Sequence, residues 1–281
     1  MSTLAEKKKI PILMYHSISH DAAPKFKRFA VSPVLFSEHM AYLYQHAYTP
    51  VTVTQLVQAL SQGSGDLPEK PVVLTFDDGF SDFYTEALPV LKQHSFVATL
   101  YLVTAFINGT SRWLRREGEA ARPMLTWDQI AGISEAGIEC GGHTHTHPEL
   151  DTLPLSRARE EIVQCKRLLE QHLGQEVLSF AYPYGYHTTG IKQLVRDAGY
   201  TSACAVKYEM ASETTDPFAL TRLIVSADMS VNELANALTH GTSPIVTLSK
   251  RIATPMWRFA RQSSAVLTRH THHLQGGFSV Q

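Results

Sequence analysis

The segment Val72-Val73-Leu74-Thr75-Phe76-Asp77-Asp78-Gly79 constrains this chain more than any other. Its β-branched and aliphatic run, opened by Pro71 and stopped by Gly79, has the length and composition of a buried strand, which puts two carboxylates at the carboxyl end. Adjacent carboxylates there repel each other and are costly without a cation. On a loop their side chains need not diverge, so one can bind metal while its neighbour handles protons. Further along, a second run, Ile138-Glu139-Cys140-Gly141-Gly142, is followed by His143 and His147. That spacing lets two imidazoles meet one ion from a helical turn or a compact loop; Gly141 and Gly142 permit a sharp backbone entry, and Pro148 discourages a continuing helix. One carboxylate with two histidines leaves a coordination position open, the pattern of a catalytic rather than a structural zinc-type centre, and water bound there is acidified. Alone, Asp-Asp-Gly after a strand is a turn and His-x-x-x-His is ambiguous. Together, each after a strand, they point to a one-metal hydrolase site.

Elsewhere strand-like and helix-like segments alternate. Strands are expected at Ile10 to Tyr15, Thr49 to Val53, Phe96 to Val103, Val177 to Tyr182, Tyr200 to Val206 and Leu220 to Val225. Helices are expected at Ser32 to Ala47, Thr54 to Ser61, Phe83 to His94, from Thr126, and at Leu155 to Leu173, Thr189 to Ala198 and Val231 to Leu238. Repeated strand–helix units with chemistry at strand ends predict an α/β fold, a parallel (β/α) barrel with its site on the carboxyl face. The 281 residues, 44% hydrophobic, suffice for one large core, and 18% charged residues are too few for a disordered chain. A formal net charge of -1, with no phosphate loop, repeat or nucleic-acid motif, argues against a nucleic-acid partner. Cys140, Cys165 and Cys204 form no framework and read as small buried thiols. The polar start with Lys7-Lys8-Lys9 leaves only a short apolar stretch before His16, which is needed as a strand, and no run approaches the roughly 20 residues of a membrane span. The expected location is cytoplasmic.

These residues carry a family resemblance. Thr75-Phe76-Asp77-Asp78-Gly79 and His143-Thr144-His145-Thr146-His147 are similar to the first two motifs of the polysaccharide deacetylases of carbohydrate esterase family four, the NodB-homology group. Phe180-Ala181-Tyr182-Pro183-Tyr184-Gly185 resembles the third, Arg-x-Pro-Tyr-Gly, with Ala181 at the arginine position. The opening Ile12-Leu13-Met14-Tyr15-His16-Ser17-Ile18 and the Ala-Tyr-Pro-Tyr-Gly variant resemble the branch that includes poly-N-acetylglucosamine N-deacetylases. The resemblance covers about residues 10 to 240 and implies a distorted barrel of seven strands.

It also implies roles. Asp78, His143 and His147 hold one divalent ion; Asp77 takes the proton of the attacking water; the backbone N–H of Tyr184 stabilises the oxyanion. The family's late Leu-x-His motif has no clear counterpart, since Leu238-Thr239-His240 falls in an expected helix. In the resembling branch the equivalent histidine comes from the start of the chain, as if the barrel were circularly permuted, and His16 at the end of its strand fits as general acid. Arg222, in the apolar Leu220-Thr221-Arg222-Leu223-Ile224-Val225, needs a buried partner or a functional reason. It either replaces the missing arginine or makes an ordinary salt bridge, and it is grouped with Tyr182 and Trp127 as a substrate-contacting residue. His145 reads as a loop residue. Zinc is the default ion, with cobalt or nickel compatible.

The implied reaction is removal of N-acetyl groups from N-acetylhexosamine units of a polysaccharide, oligosaccharide or lipid-linked glycan. An O-acetyl esterase or a non-catalytic sugar-binding module of the same fold are the alternatives. The loop Asn108 to Pro123, with Arg112, Trp113, Arg115 and Arg116, is either a substrate lid or a solvated excursion. The catalytic domain is expected over residues 1–243 and a tail over 244–281. From Leu234 onward there is no Asp or Glu, while Lys250, Arg251, Arg258, Arg261 and Arg269 are basic, leaving 20 basic against 26 acidic residues in the body. Such a tail suits peripheral contact with an anionic membrane surface, or docks as a helix on the acidic body.

Overall fold

One parallel sheet, apolar on both faces, organises the chain. The computed structural model describes residues 9–63, 67–206, 210–212 and 214–241; the basic tail and its membrane contact lie outside them. In chain order the elements are β1 (Ile12–Tyr15), β2 (Ser17–Ile18), β3 (Ala30–Val31), α1 (Pro33–Gln45), β4 (Thr49–Val51), α2 (Val53–Ser61) and β5 (Pro71–Phe76). There follow α3 (Leu88–Gln93), β6 (Thr99–Leu102), α4 (Trp127–Glu135), β7 (Glu139–Gly142), α5 (Leu155–Leu173) and β8 (Ser179–Ala181). The last are α6 (Thr189–Asp197), β9 (Ser202–Cys204), β10 (Leu223–Ile224) and α7 (Val231–His240).

The main sheet runs β10-β1-β5-β6-β7-β8-β9 with every pairing parallel, and β4 pairs only the first half of β5, leaving the second half to β6. Leu220 pairs with Cys204 of β9, while Leu223 and Ile224 pair with β1, so this short segment joins the two edges of a distorted seven-stranded barrel. Alternation along the strands separates two cores. Leu13, Tyr15, Leu74, Phe76, Phe180 and Tyr182 face outward to the helices. Ile12, Val73, Tyr101, Ala181, Cys204 and Leu220 face the barrel interior, and Val53 and Leu56 of α2 cover its lower end.

Helix starts follow their capping residues. Ser32 accepts from the Leu35 N–H, and reciprocal boxes of Thr52 with Gln55, Thr126 with Gln129 and Ser230 with Glu233 open α2, α4 and α7. The helix expected over Phe83 to His94 divides into a π-helical turn, Phe83–Ala87, and α3. Pro89 lacks the N–H that regular helical bonding requires there. Strands are shorter than their apolar runs, and the pair β2–β3, with Ser17 opposite Ala30, has no sequence pattern of its own. The three cysteines are free and buried. Among the described residues no helix is long and apolar enough to cross a membrane.

Gly141 lets Tyr101 fill the barrel interior, because a Cβ there would stand 2.6 Å from the Tyr101 ring and 2.8 Å from Ser179 Oγ. Gly141→Ala is therefore expected to destabilise the fold by about 1–3 kcal/mol, read as a lower thermal midpoint.

Candidate active site

The same alternation delivers the site. Inward parity on β1 runs Ile12, Met14, His16; on β5 it runs Val73, Thr75, Asp77; on β7 it reaches His143; on β10 it runs Leu220, Arg222, Ile224. These side chains converge above the interior core, where His16, Asp77, His143 and Arg222 line a cavity of about 280 Å³. Asp78 would follow the opposite parity, but its φ of +79° turns the chain and brings its carboxylate into the same cavity. Thr144 (φ +67°) and His147 (φ +63°) do the same for the second imidazole. Thr144 Oγ1 accepts from the His147 N–H at 3.0 Å and fixes that turn. Left-handed backbone at non-glycine residues is costly and is held by such local bonds.

Asp78 Oδ1 lies 3.5 Å from His143 Nε2 and 3.3 Å from His147 Nε2, and all three residues are buried. One ligand atom from each comes within 4.8 Å of the others. His143 Nδ1 donates to the Ala181 carbonyl at 2.8 Å, which leaves the Nε2 lone pair toward Asp78. Asp78 Oδ1 is buried and accepts no hydrogen bond. Burial, and then the Asp77 charge, pushes the Asp78 carboxyl well above its usual range. Burial also lowers both histidines, with the neighbouring His143 adding to the effect at His147. Two neutral imidazoles facing a carboxylate oxygen without a donor form a donor set that a divalent cation fits.

Asp77 is held differently. Arg222 donates from both terminal nitrogens to the two Asp77 oxygens, at 2.6 and 2.8 Å. It also reaches Thr75 Oγ1 and the Ala205 carbonyl, each at 3.2 Å. Arg222 is 0% exposed. Burial alone would raise the Asp77 carboxyl, but the guanidinium overrides it and brings the pKa to about 2. His16 stands beside this pair with its ring 4.8 Å from that of Phe29. Burial holds the His16 pKa down to about 4, with Asp77 acting in the opposite direction. Tyr184, at φ +59° on the turn after β8, is 51% exposed and sets its ring 4.9 Å from His147, across the cavity wall.

A family model, polysaccharide deacetylase, matches residues 64–203. A putative polysaccharide deacetylase of Bacillus subtilis, YxkH, is 30% identical over 222 residues, 79% of this chain and 73% of the relative. The chain belongs to the polysaccharide deacetylase family. The Streptococcus pyogenes deacetylase PplD, solved in complex with acetate, superposes with a TM-score of 0.72 at 28% identity, covering 83% of this chain and 99% of that one. The poly-β-1,6-N-acetyl-D-glucosamine N-deacetylase of Escherichia coli is 29% identical over 136 residues, 47% of this chain but 20% of its own length.

In this polysaccharide deacetylase the third motif carries Ala181 on the interior face of β8, and the charge at Asp77 comes instead from Arg222 beside β10. Arg222 is therefore corrected from a substrate contact to the partner of Asp77, since its fully buried guanidinium is engaged by both Asp77 oxygens, Thr75 Oγ1 and the Ala205 carbonyl. Tyr182 is corrected too. Its outward parity buries it among the helices with its hydroxyl donating to the Phe218 carbonyl at 3.0 Å. Trp127 does not line the cavity; its indole stacks on His172 of α5, 3.8 Å between centroids. His145 turns away to Thr104 Oγ1 at 2.9 Å and Gln164.

Sequence reasoning missed Arg28, Phe29, Leu114 and Glu117, which also line the deacetylase cavity. They lie in the short 3-10 turns Lys27–Phe29 and Arg112–Glu117, too brief for a periodicity to mark them. The loop Asn108 to Pro123 is a packed wall. Trp113 packs tilted against Phe106 and His147, with ring centroids 4.8 and 5.4 Å away, and Arg122 ties the loop to Glu119, Asp82, Ser17 Oγ and the Asp21 carbonyl. Arg112, Arg115 and Arg116 point to solvent and do not line the cavity.

Proposed function

We propose that the chain is a metal-dependent N-deacetylase of N-acetylhexosamine units in a glycan. The observation that carries this reading is an ionised, arginine-clamped Asp77 beside an Asp78-His143-His147 donor set in one cavity. Relatives named for poly-β-1,6-N-acetyl-D-glucosamine support the sugar class. Asp78, His143 and His147 would hold the cation, and two imidazoles with one carboxylate favour zinc, with cobalt or nickel compatible. A cation there supplies polarisation of the acetyl carbonyl and acidification of water.

The protein's own groups do the rest. Asp77, ionised and fixed at both oxygens, takes the proton of the attacking water. The backbone N–H of Tyr184, on its left-handed turn, donates to the developing oxyanion. His16 protonates the departing nitrogen, without which the leaving group is an amide anion. An imidazole held to a low pKa is a strong acid once charged and releases its proton readily.

Acetate release from N-acetylglucosamine oligomers, by metal-free and zinc-loaded protein, tests the reading. Zinc-dependent release is expected, and no release from a protein that binds one zinc would reject it. His16→Ala is expected to lower kcat about 100-fold or more on the amide and less on an O-acetyl ester, whose alkoxide leaves with less help. Equal losses on both would remove His16 as the acid.

A further inference from the structure

We propose that the sugar taken by this site carries an anionic group, a carboxylate or a phosphate, and that Arg28 at the cavity wall receives it. This rests on the N-deacetylase reading and names its substrate class. Arg28 lies between β2 and β3, with its guanidinium carbon 4.5 Å over the centroid of the Phe29 ring. That ring lies 4.8 Å from His16, and all three residues line the cavity. The Arg28 carbonyl accepts from the Ala227 N–H at 3.0 Å, which anchors the backbone. Its side chain is exposed, and among the described residues no carboxylate pairs with it. Arg222, by contrast, is consumed by Asp77. Glu117, also on the cavity wall, lies toward Tyr184, where its charge helps raise the phenol.

A guanidinium resting on an aromatic face keeps its edge free, and that edge matches the two oxygens of a carboxylate or phosphate. Position gives this a direction. Because His16 serves the departing nitrogen, Arg28 lies on the sugar side of the scissile amide. The anion therefore belongs to the sugar losing its acetyl group or to the one joined to it.

The test measures acetate release by the zinc-loaded full chain from N-acetylglucosamine 1-phosphate, N-acetylmuramic acid and neutral methyl N-acetylglucosaminide. Wild type, Arg28→Gln and Arg28→Lys are compared. The ratio of kcat/KM for a charged over the neutral sugar is expected to be about 10- to 100-fold in wild type. It should fall by about tenfold in Arg28→Gln, mainly through KM, and recover in part in Arg28→Lys. The phosphate and carboxylate arms tell the two sources apart. A ratio at or below one in wild type, or one unchanged by Arg28→Gln, overturns the proposal. If no sugar releases acetate, the N-deacetylase reading fails separately, and calorimetry with glucosamine 1-phosphate decides the point. Binding about tenfold weaker in Arg28→Gln upholds the anion site, and equal binding overturns it.

Discussion

Asp77→Asn is expected to lower kcat for acetate release about a thousandfold, within the range for loss of a general base, while one divalent cation still binds per chain. The asparagine keeps the shape of the aspartate, but its amide takes no proton from water. It also turns an NH2 group toward Arg222, which donates to both Asp77 oxygens in the native protein. The donor set Asp78, His143 and His147 is untouched, so calorimetric titration should still show one equivalent of zinc. His143→Ala should give the opposite split, with cation affinity lost, because the imidazole fixed by the Ala181 carbonyl is gone. Asp77→Asn within tenfold of wild type at saturating zinc would show that another group takes the proton.

Arg222→Met should be the most damaging change remote from the cation. It strands a buried carboxylate, a loss of about 3–5 kcal/mol for one partner of a buried pair, or roughly 10 °C in thermal midpoint. The pH dependence follows from the same pair. Asp77 falls from an ordinary 3.8 to about 2 in the folded metal-free protein. Its stabilisation, about 2 kcal/mol, is therefore complete above 3.8 and lost as pH falls toward 2. Without the guanidinium, burial is left to raise the Asp77 carboxyl, so the acid limb of the pH–rate profile should move to higher pH. Arg222→Lys keeps the charge without the fork and should lie between. An acid limb unmoved in Arg222→Met would mean that Asp77 does not depend on this arginine.

Much of the site was legible because it stands at strand ends. Asp77, Asp78, His143 and His147 follow apolar runs directly, and His16 ends β1, so strand detection alone brought them to one rim. Helix starts were legible at Ser32 and Thr126, which cap them, whereas the expected strand Thr49 to Val53 runs through Thr52, the cap of α2. Tyr182 was misread although its pattern was available. Two residues from Phe180, it shares that outward face, and the interior position between them is Ala181. Arg222 was seen as needing a buried partner, but which one depends on β10 pairing with β1 beside β5, a long-range fact. Arg28, Phe29, Leu114 and Glu117 were not legible, because short 3-10 turns carry no period that assigns a side chain to a cavity.

The seam between β10 and β1 has a consequence for when the catalyst comes into being. On the ribosome, a chain that has emerged only as far as β9 already contains the strands bearing Asp78, His143 and His147, the proposed donor set. Its Asp77 has no counter-charge, and burial then favours a protonated carboxyl that takes nothing from water. Only docking of the final strand makes the base competent. On the proposed mechanism, a nascent or clipped molecule ending before Arg222 is expected to keep the Asp78-His143-His147 donor set while lacking the counter-charge that keeps Asp77 ionised.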